Sequence, residues 1–301
     1  MYNGVINIYK EKGFTSHDVV AKMRGILKQK KIGHTGTLDP DAVGVLPVCL
    51  GSATKLCDML TDRDKEYVAV LKLGVETDTQ DTTGTIVKEC AVTAEEEQVK
   101  EVIASFVGDY AQVPPMYSAL KVDGKKLYEL ARQGKEVERK ARPVTIYEIE
   151  ILDMKLPEVT IRVACSKGTY IRTLCHDIGA KLGCGGAMAS LKRTKAGAFL
   201  LNTAITLSEL EKIRDEEKVE SVLIPVDAMF EELAAVHVPD DVLKLVKNGN
   251  TFYTNQILQR RRYGDGEEVR IYDTAGKFYG IYYCDEKENK FKPRKMFICY
   301  L

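Results

Sequence analysis

The chain has 301 residues, of which 45% are hydrophobic and 29% charged, and its 44 basic residues balance 44 acidic ones. This length and composition predict a globular protein of one large or two smaller domains, and they exclude a disordered or fibrous chain. The zero net charge counts against a uniformly basic nucleic-acid-binding surface, although local basic patches can exist within a neutral total.

Cysteine and histidine usage gives no sign of a metal or redox centre. None of the eight cysteines forms a CxxC pair, and the four histidines are scattered. Residues 1–13 lack the apolar core of a secretory signal, and no apolar run approaches the length of a membrane span. We therefore expect a cytoplasmic protein with reduced cysteines, no membrane contact, no metal and no cofactor.

The N-terminal region begins with an alternating pattern at residues 5–9 that predicts a strand. A helix is expected next, because its apolar residues recur at one-turn spacing. Thr15 or Ser16 can cap its start, and Gly33 is expected to end it. Its apolar positions are Val19, Val20, Met23, Ile26 and Leu27.

The remaining elements predict a mixed α+β chain. A capping box of Thr93 and Glu96 is expected to open a helix that runs to about Phe106. Near Ala234 the pattern changes to one short helix and several short strands. Strands are predicted at 67–73, 85–90, 144–154, 158–166, 268–272, 278–284 and 296–300, and helical segments at 169–182, 207–223 and 240–247.

Two domains follow from this order of elements. We predict a mixed, mostly antiparallel sheet in a domain of residues 1–232, with an irregular basic insertion at about 112–142. Residues 235–301 are predicted to form a small β-rich module.

The segment 31–47 is the most unusual stretch of the chain. It holds three glycines and two prolines, so we expect no regular element there. Pro40 biases Asp39 toward an extended backbone, and Gly33 and Gly36 allow close approach of the backbone. A shaped loop presenting His34 and Asp39 would result. An ordinary surface turn at Asp39-Pro40 is the alternative that composition alone leaves open.

The run GHTGTLDPDAVGVLP at 33–47 resembles the signature of the TruB family of tRNA pseudouridine synthases. Further matches follow in chain order over about residues 3–230. The tail resembles a PUA RNA-binding module more loosely, with Lys292-Pro293 near its last strand. The internal matches are Lys65-Glu66-Tyr67 and the stretches 74–79, 114–121, 166–174 and 191–194.

The resemblance implies a pseudouridine synthase fold that isomerises uridine 55 in the T-loop of tRNA. This reaction breaks the N1–C1′ bond, rotates the uracil and joins C5 to C1′, so one carboxylate can suffice. The family's pattern places that carboxylate at Asp39, its arginine partner at Arg172 and a base-stacking tyrosine at Tyr67. A neighbouring guanidinium is expected to lower the pKa of Asp39.

Contact with RNA is expected from basic and aromatic residues. The insertion at 112–142 would act as a flap over the RNA loop, binding phosphate groups. Residues 22–31 and 260–262 would extend the footprint, and the acidic segment 207–223 would face away from RNA. The RNA-binding residues predicted are His34, Lys65, Tyr117, Lys121, Lys125, Lys126, Arg132, Arg142, Lys167, Tyr170, Lys192 and Arg193.

Three readings of the whole chain remain open. The first is a monomeric enzyme that acts on the T-arm stem-loop of tRNA without a protein partner. The second is a non-catalytic RNA-binding or tRNA-folding factor. The third is a guide-dependent pseudouridine synthase acting on ribosomal RNA inside a ribonucleoprotein. The Lys-x-Tyr element at Lys65 and the insertion at 112–142 favour the first. The residues do not decide between attack at C1′, addition to the base and proton abstraction from C2′.

Overall fold

The computed structural model describes residues 1–122 and 124–298, with the backbone alone at Lys121. Within these ranges the strands are β1 Gly4–Lys10, β2 Ile32–His34, β3 Val43–Leu50, β4 Lys65–Leu73, β5 Val75–Thr77, β6 Ile86–Glu89, β7 Gly108–Gln112, β8 Lys121–Val122, β9 Lys125–Lys126, β10 Arg142–Lys155, β11 Glu158–Cys165, β12 Gly186–Ala196, β13 Phe199–Leu200, β14 Ala234–His237, β15 Phe252–Tyr253, β16 Glu268–Tyr272, β17 Phe278–Asp285 and β18 Lys290–Met296.

The α-helices in the same ranges are α1 Ser16–Leu27, α2 Cys57–Thr61, α3 Glu96–Ala104, α4 Leu127–Ala131, α5 Ile171–Lys181, α6 Leu207–Asp215 and α7 Asp240–Lys247. Short 3-10 helices lie at Gly51–Leu56, Leu201–Thr203, Val219–Val222 and Val226–Phe230. Within the described ranges, no helix combines the length and apolarity needed to cross a membrane.

A nine-stranded sheet forms the larger part of the molecule. Its strands run in the order β1-β3-β12-β4-β11-β10-β7, with β2 added on β3 and β13 on β12. All pairs are antiparallel except β3 with β12, which are parallel at Val43–Lys192 and Gly44–Arg193. A second sheet of five strands, β14-β16-β17-β18-β15, holds the C-terminal part. The predicted α+β class with a mostly antiparallel sheet is confirmed.

Helix α1 follows the predicted apolar face but ends earlier than expected. Thr15 caps it in a capping box with Asp18, and the chain leaves it at Lys28 in the left-handed conformation. Gly33 does not end this helix, because it lies in the separate strand β2.

The prediction of no regular element at 31–47 is wrong at both ends of that segment. Strands β2 and β3 occupy them, and Pro47 lies inside β3 opposite Asn7 of β1. The carbonyl of Pro47 accepts hydrogen bonds from the backbone and hydroxyl of Thr35. Only residues 35–42 form an irregular loop, which therefore starts and ends on neighbouring strands.

Other predicted elements need correction. Helix α3 begins at Glu96 without a side-chain cap, so the Thr93 capping box is not formed. The last strand is β18, at Lys290–Met296 rather than at 296–300, and residues 299 and 300 lie outside the described part. The long strand β12 was not predicted.

The C-terminal sheet packs on the large sheet. Ile281 and Phe297 share an apolar cluster with Val5 and Val45. The Lys55 ammonium also donates a hydrogen bond of 2.8 Å to the Met296 carbonyl. The domain division at 232 and 235 and the PUA-like character of the tail remain predictions.

Candidate active site

The loop that carries Asp39 is tied down on both sides of that residue. The ammonium of Lys10, a fully buried residue, donates to the carbonyls of Glu11, Phe14 and Pro40, the last at 3.0 Å. Burial lowers the pKa of Lys10 to about 8. On the other side, the Leu38 backbone donates to the Ser16 hydroxyl at 2.8 Å. The backbone next to Asp39 is therefore held by β1 and α1, and the sequence analysis missed Lys10.

Arg193 of β12 supports the same loop from beneath. It is 1% exposed and donates to the carbonyls of Val45, at 2.7 Å, and Gly36, at 3.3 Å. A Cβ at Gly44, whose φ is +106°, would lie 2.2 Å from the Arg193 carbonyl oxygen. The guanidinium is therefore directed at backbone carbonyls rather than at solvent, and RNA contact by Arg193 remains a prediction.

Arg172 of α5 binds Asp39 through two nitrogens. Its Nε lies 3.1 Å from Asp39 Oδ2, and its Nη2 lies 3.3 Å from Asp39 Oδ1. Nη2 also donates to the Tyr117 carbonyl and Nη1 to the Thr79 carbonyl, at 2.8 and 3.2 Å. Nη1 further lies 3.6 Å from Asp81 Oδ2. Because all three guanidinium nitrogens are occupied, Arg172 joins the Asp39 loop to two other segments.

The charge of Asp39 is set by opposing effects. Burial raises its pKa, and the nearby Asp81 carboxylate also raises it, while the Arg172 guanidinium lowers it. The expected lowering by the guanidinium is present, but burial prevails, so the pKa is above the ordinary value of 3.8. The Asp39 side chain is still 39% exposed. The carboxylate therefore has one face on the guanidinium and one face open to a ligand.

Asp81 is a second carboxylate at this site that the sequence analysis missed. Its side chain is 15% exposed and accepts hydrogen bonds from the Thr79 hydroxyl and from the backbone and hydroxyl of Thr83. The turn that carries it is fastened to α5, where the Thr173 hydroxyl donates to Gln80 at 2.8 Å. The sequence signal was its place two residues after the family-like stretch 74–79.

Tyr67 lies beneath the loop. It is 8% exposed, shares an apolar cluster with Leu38 and Ala42, and faces Arg193 across the β4–β12 pair. Burial raises its pKa. Tyr67 is thus placed in the core next to the residues that flank Asp39, and its stacking on uracil remains a prediction.

His34 and Tyr170 flank the site on β2 and at the start of α5. His34 is partly buried, and its Nδ1 atom has no hydrogen-bond partner among the described residues. Burial, followed by the charge of Arg193, lowers the pKa of His34. The backbone of Tyr170 is fixed by Gln112 through hydrogen bonds of 2.7 and 3.0 Å. RNA contact by either residue remains a prediction.

Lys65 is placed differently from its prediction. It is 8% exposed, and its ammonium donates to the carbonyls of Thr61 and Arg63. Burial lowers its pKa to about 8. This ammonium therefore holds the turn before β4, and contact of Lys65 with RNA remains a prediction.

The other predicted RNA-binding residues lie near the surface. Lys126 is partly buried and donates to the Tyr128 hydroxyl, and Tyr117 is partly buried with its carbonyl bound to Arg172. The side chain of Lys121 lies outside the described part. The exposed members of the set are Lys125, Arg132, Arg142, Lys167 and Lys192.

No group of three potential metal-binding side chains lies together in residues 1–122 and 124–298. The groups gathered around Asp39 are one arginine, a second carboxylate and two tyrosines. Such a set can bind and orient an uncharged base and a sugar, and it can present an anion to an electron-poor carbon.

Sequence comparison places this chain among known proteins. The model described as "TruB family pseudouridylate synthase (N terminal domain)" matches residues 24–171, and that described as "tRNA pseudouridylate synthase B C-terminal domain" matches residues 172–231. The tRNA pseudouridine synthase B of Lachnoclostridium phytofermentans is 53% identical over 98% of this chain and 100% of its own length. That of Alkaliphilus oremlandii is 50% identical over 90% of this chain and 89% of its own length.

Solved structures show the same architecture. An H/ACA ribonucleoprotein bound to a substrate RNA containing 2′-deoxyuridine includes a chain with TM-score 0.71 and 28% identity, over 98% of this chain and 85% of that one. A chain of a Cbf5-Nop10-Gar1 complex gives TM-score 0.72 and 30% identity over the same shares. The protein belongs to the TruB family of pseudouridylate synthases.

Proposed function

We propose that the protein is a tRNA pseudouridine synthase that isomerises uridine 55 of the T-loop, with Asp39 as the catalytic carboxylate. The contact of Arg172 with both oxygens of Asp39 carries the assignment of the residue. The relatives that are 50–53% identical to this protein are named tRNA pseudouridine synthase B, and they match nearly the whole chain.

The chemistry fits one anchored carboxylate. The N1–C1′ bond breaks, the uracil turns, and C5 bonds to C1′ while the C5 proton leaves for N1 or solvent, so the product is an isomer of the substrate. Asp39 can take part as nucleophile or base toward the ribose, because its open face is available while Arg172 holds the other. Its raised pKa also suits a group that accepts a proton.

The uridine must leave its loop before it can reach Asp39, since a stacked base shields its own sugar. Tyr67 and Tyr170 are the aromatic side chains that would receive the extruded base. The exposed cations of the insertion, Lys125 and Arg132, would bind the phosphates of the loop. The insertion that carries Lys125 and Arg132 also contains Tyr117, whose carbonyl accepts a hydrogen bond from the guanidinium that holds Asp39.

We further propose that the protein acts alone, as a monomer in the cytoplasm, with residues 1–232 as catalytic domain and 235–301 as a PUA-like RNA-binding domain. Solved relatives from H/ACA particles favour the guide-dependent alternative, but their identity of 28–30% is well below the 53% found for a tRNA enzyme.

One assay separates these functions. Purified protein is mixed with an unmodified tRNA transcript, and pseudouridine is located by carbodiimide labelling and primer extension. Product at position 55 without guide RNA or added protein supports the proposal. Tight binding without product indicates a folding factor. Product that appears only with a guide RNA indicates the guide-dependent enzyme. A transcript with cytidine at position 55 serves as substrate control.

A further inference from the structure

Tyr170 is one of the residues that line a cleft of about 340 Å³. Arg142 and Lys167 contribute two exposed cations to its lining, and Leu120 and Val144 contribute apolar surface. One acidic residue, Asp62, also lines it. Its carboxylate lies 2.9 Å from the Lys167 ammonium, and the two side chains are 62% and 57% exposed. Asp62 therefore forms an ion pair with an ammonium group that would otherwise be free in solvent.

The segments that carry this ion pair are fixed in place. Lys65 binds the carbonyls on either side of Asp62, so the turn of residues 61–63 is closed from below. Ser166, next to Lys167, exchanges two hydrogen bonds of 2.9 Å with Thr145 of β10. Hydrogen bonds thus hold the backbone of both segments in place, and this keeps the side chains of Asp62 and Lys167 within reach of each other.

We infer that Asp62 is a built-in competitor for an RNA phosphate at Lys167. This inference rests on the proposed function, in which exposed cations around the site bind the RNA backbone. An exposed ion pair such as Asp62–Lys167 contributes little on its own, whereas a lysine that neutralises an RNA phosphate also releases condensed counterions. Before RNA binds, Asp62 holds the Lys167 side chain in position. An arriving phosphate then displaces Asp62, and the Asp62–Lys167 ion pair forms again when the product leaves.

Asp62→Asn tests the inference directly, because it removes the competing charge at nearly constant size. Affinity for unmodified tRNA is measured over a salt series. We expect binding about two- to fivefold tighter at low salt. The slope of log affinity against log salt should steepen by up to about one counterion. Product release, followed by a chase with unlabelled tRNA, should slow in proportion.

Asp64→Asn is the matched control. Asp64 lies two residues away and is also exposed, but its carboxylate accepts a hydrogen bond of 3.0 Å from the Tyr147 hydroxyl. The Asp64→Asn variant changes the net charge by the same amount as Asp62→Asn. We expect a smaller gain in affinity from this variant, and equal gains in the two variants would overturn the inference.

A double-mutant cycle with Lys167→Ala completes the test. In the Lys167→Ala background the gain from Asp62→Asn should vanish, because no ammonium remains for the competition. An equal gain in both backgrounds, or no gain in either, contradicts the competitor role. Formation of pseudouridine by the wild-type protein is scored in the same samples. If the wild-type protein forms no pseudouridine, the proposed function is refuted. If it forms pseudouridine but Asp62→Asn leaves the tRNA affinity unchanged, only this inference is refuted.

Discussion

The guanidinium of Arg172 contacts both carboxylate oxygens of Asp39, through Nε at 3.1 Å and Nη2 at 3.3 Å. The two residues lie 133 positions apart in the chain. A side-by-side contact of this kind fixes the plane of the carboxylate as well as its distance. It leaves the opposite edge of Asp39 as the only edge available to a substrate.

Replacing Asp39 should separate catalysis from binding. Asp39→Asn keeps the size of the side chain but removes the charge, so we expect turnover to fall by at least about a thousandfold. tRNA affinity should stay within about twofold of wild type. Asp41→Asn is the control, because it removes a charge from the same loop at a side chain that is 55% exposed and lies 3.9 Å from the Lys12 ammonium. Single-turnover assays and filter binding measure both quantities. Near-normal turnover in Asp39→Asn would refute the assignment.

The acid side of the pH profile should depend on Asp81. In the proposed function Asp39 takes part in its ionised form, and burial raises its pKa above 3.8, so activity should fall on acidification at a higher pH than for an ordinary aspartate. The Asp81 carboxylate contributes to that increase. Asp81→Asn should therefore move the acid midpoint of kcat to lower pH. A midpoint that moves upward, measured from pH 4 to 8 in tRNA kept intact, would contradict this sign.

Gly44 should tolerate no side chain. Its φ is +106°, and a Cβ there would lie 2.2 Å from the Arg193 carbonyl oxygen. We expect Gly44→Ala to lower the free energy of unfolding by about 3 kcal/mol or more. Gly13→Ala serves as comparison, because Gly13 has φ +88° but no atom within 4 Å of the added Cβ. That variant should lose only about 1 kcal/mol. Urea unfolding of both variants decides the matter, and equal losses would contradict the packing argument.

The basic insertion should contribute to binding through phosphate contacts. Lys125 and Arg132 are exposed, and the Arg132 guanidinium lies 5.5 Å from the centre of the Tyr128 ring. Replacing both by alanine should weaken tRNA binding and lower the salt slope by about one to two counterions. Lys218→Ala, in the acidic segment 207–223, should leave the slope unchanged, because Lys218 is exposed and its ammonium is already paired with Glu216 at 2.9 Å. An unaltered slope in the double variant would argue against a flap that binds phosphate.

Two neighbouring thiols should differ in reactivity. Cys57 is partly buried, and a hydrogen bond from the Cys49 thiol lowers its pKa, while the same bond raises the pKa of Cys49. At pH 7 to 8 we expect iodoacetamide to label Cys57 faster than Cys90, which is also partly buried. Cys49→Ala should slow labelling of Cys57. Peptide mass spectrometry gives both rates, and an unchanged Cys57 rate in that variant would contradict the thiol contact.

Local patterns predicted much of the fold and the centre of the site. The capped amphipathic helix α1 and the strand pair β10–β11 follow from spacing alone, because each buries one face in a regular period. Asp39 and Arg172 were identified through a resemblance carried by their own motifs. These features are encoded within short stretches of sequence.

Other parts depended on distant neighbours. Strand β12 lies inside the large sheet, between β3 and β4. It carries Lys192, Arg193 and Lys195, and these charges obscure the apolar pattern that would predict a strand. Arg193 can be buried only because the carbonyls of Gly36 and Val45 receive it. Lys65 was likewise assigned to RNA from the sequence. Its partners are the backbone carbonyls of Thr61 and Arg63, and no sequence pattern reveals contacts of that kind. Buried cations that bind the main chain look like surface cations until the fold is known.

The parallel pairing of β3 with β12 also has a consequence for biosynthesis. The Arg193 side chain meets the Val45 carbonyl across 148 positions, and this contact supports the loop of Asp39. When the ribosome has made only the first half of the protein, Asp39 is therefore present without the strand that supports its loop. The nascent polypeptide should acquire an ordered active centre only after β12 has left the exit tunnel, late in translation.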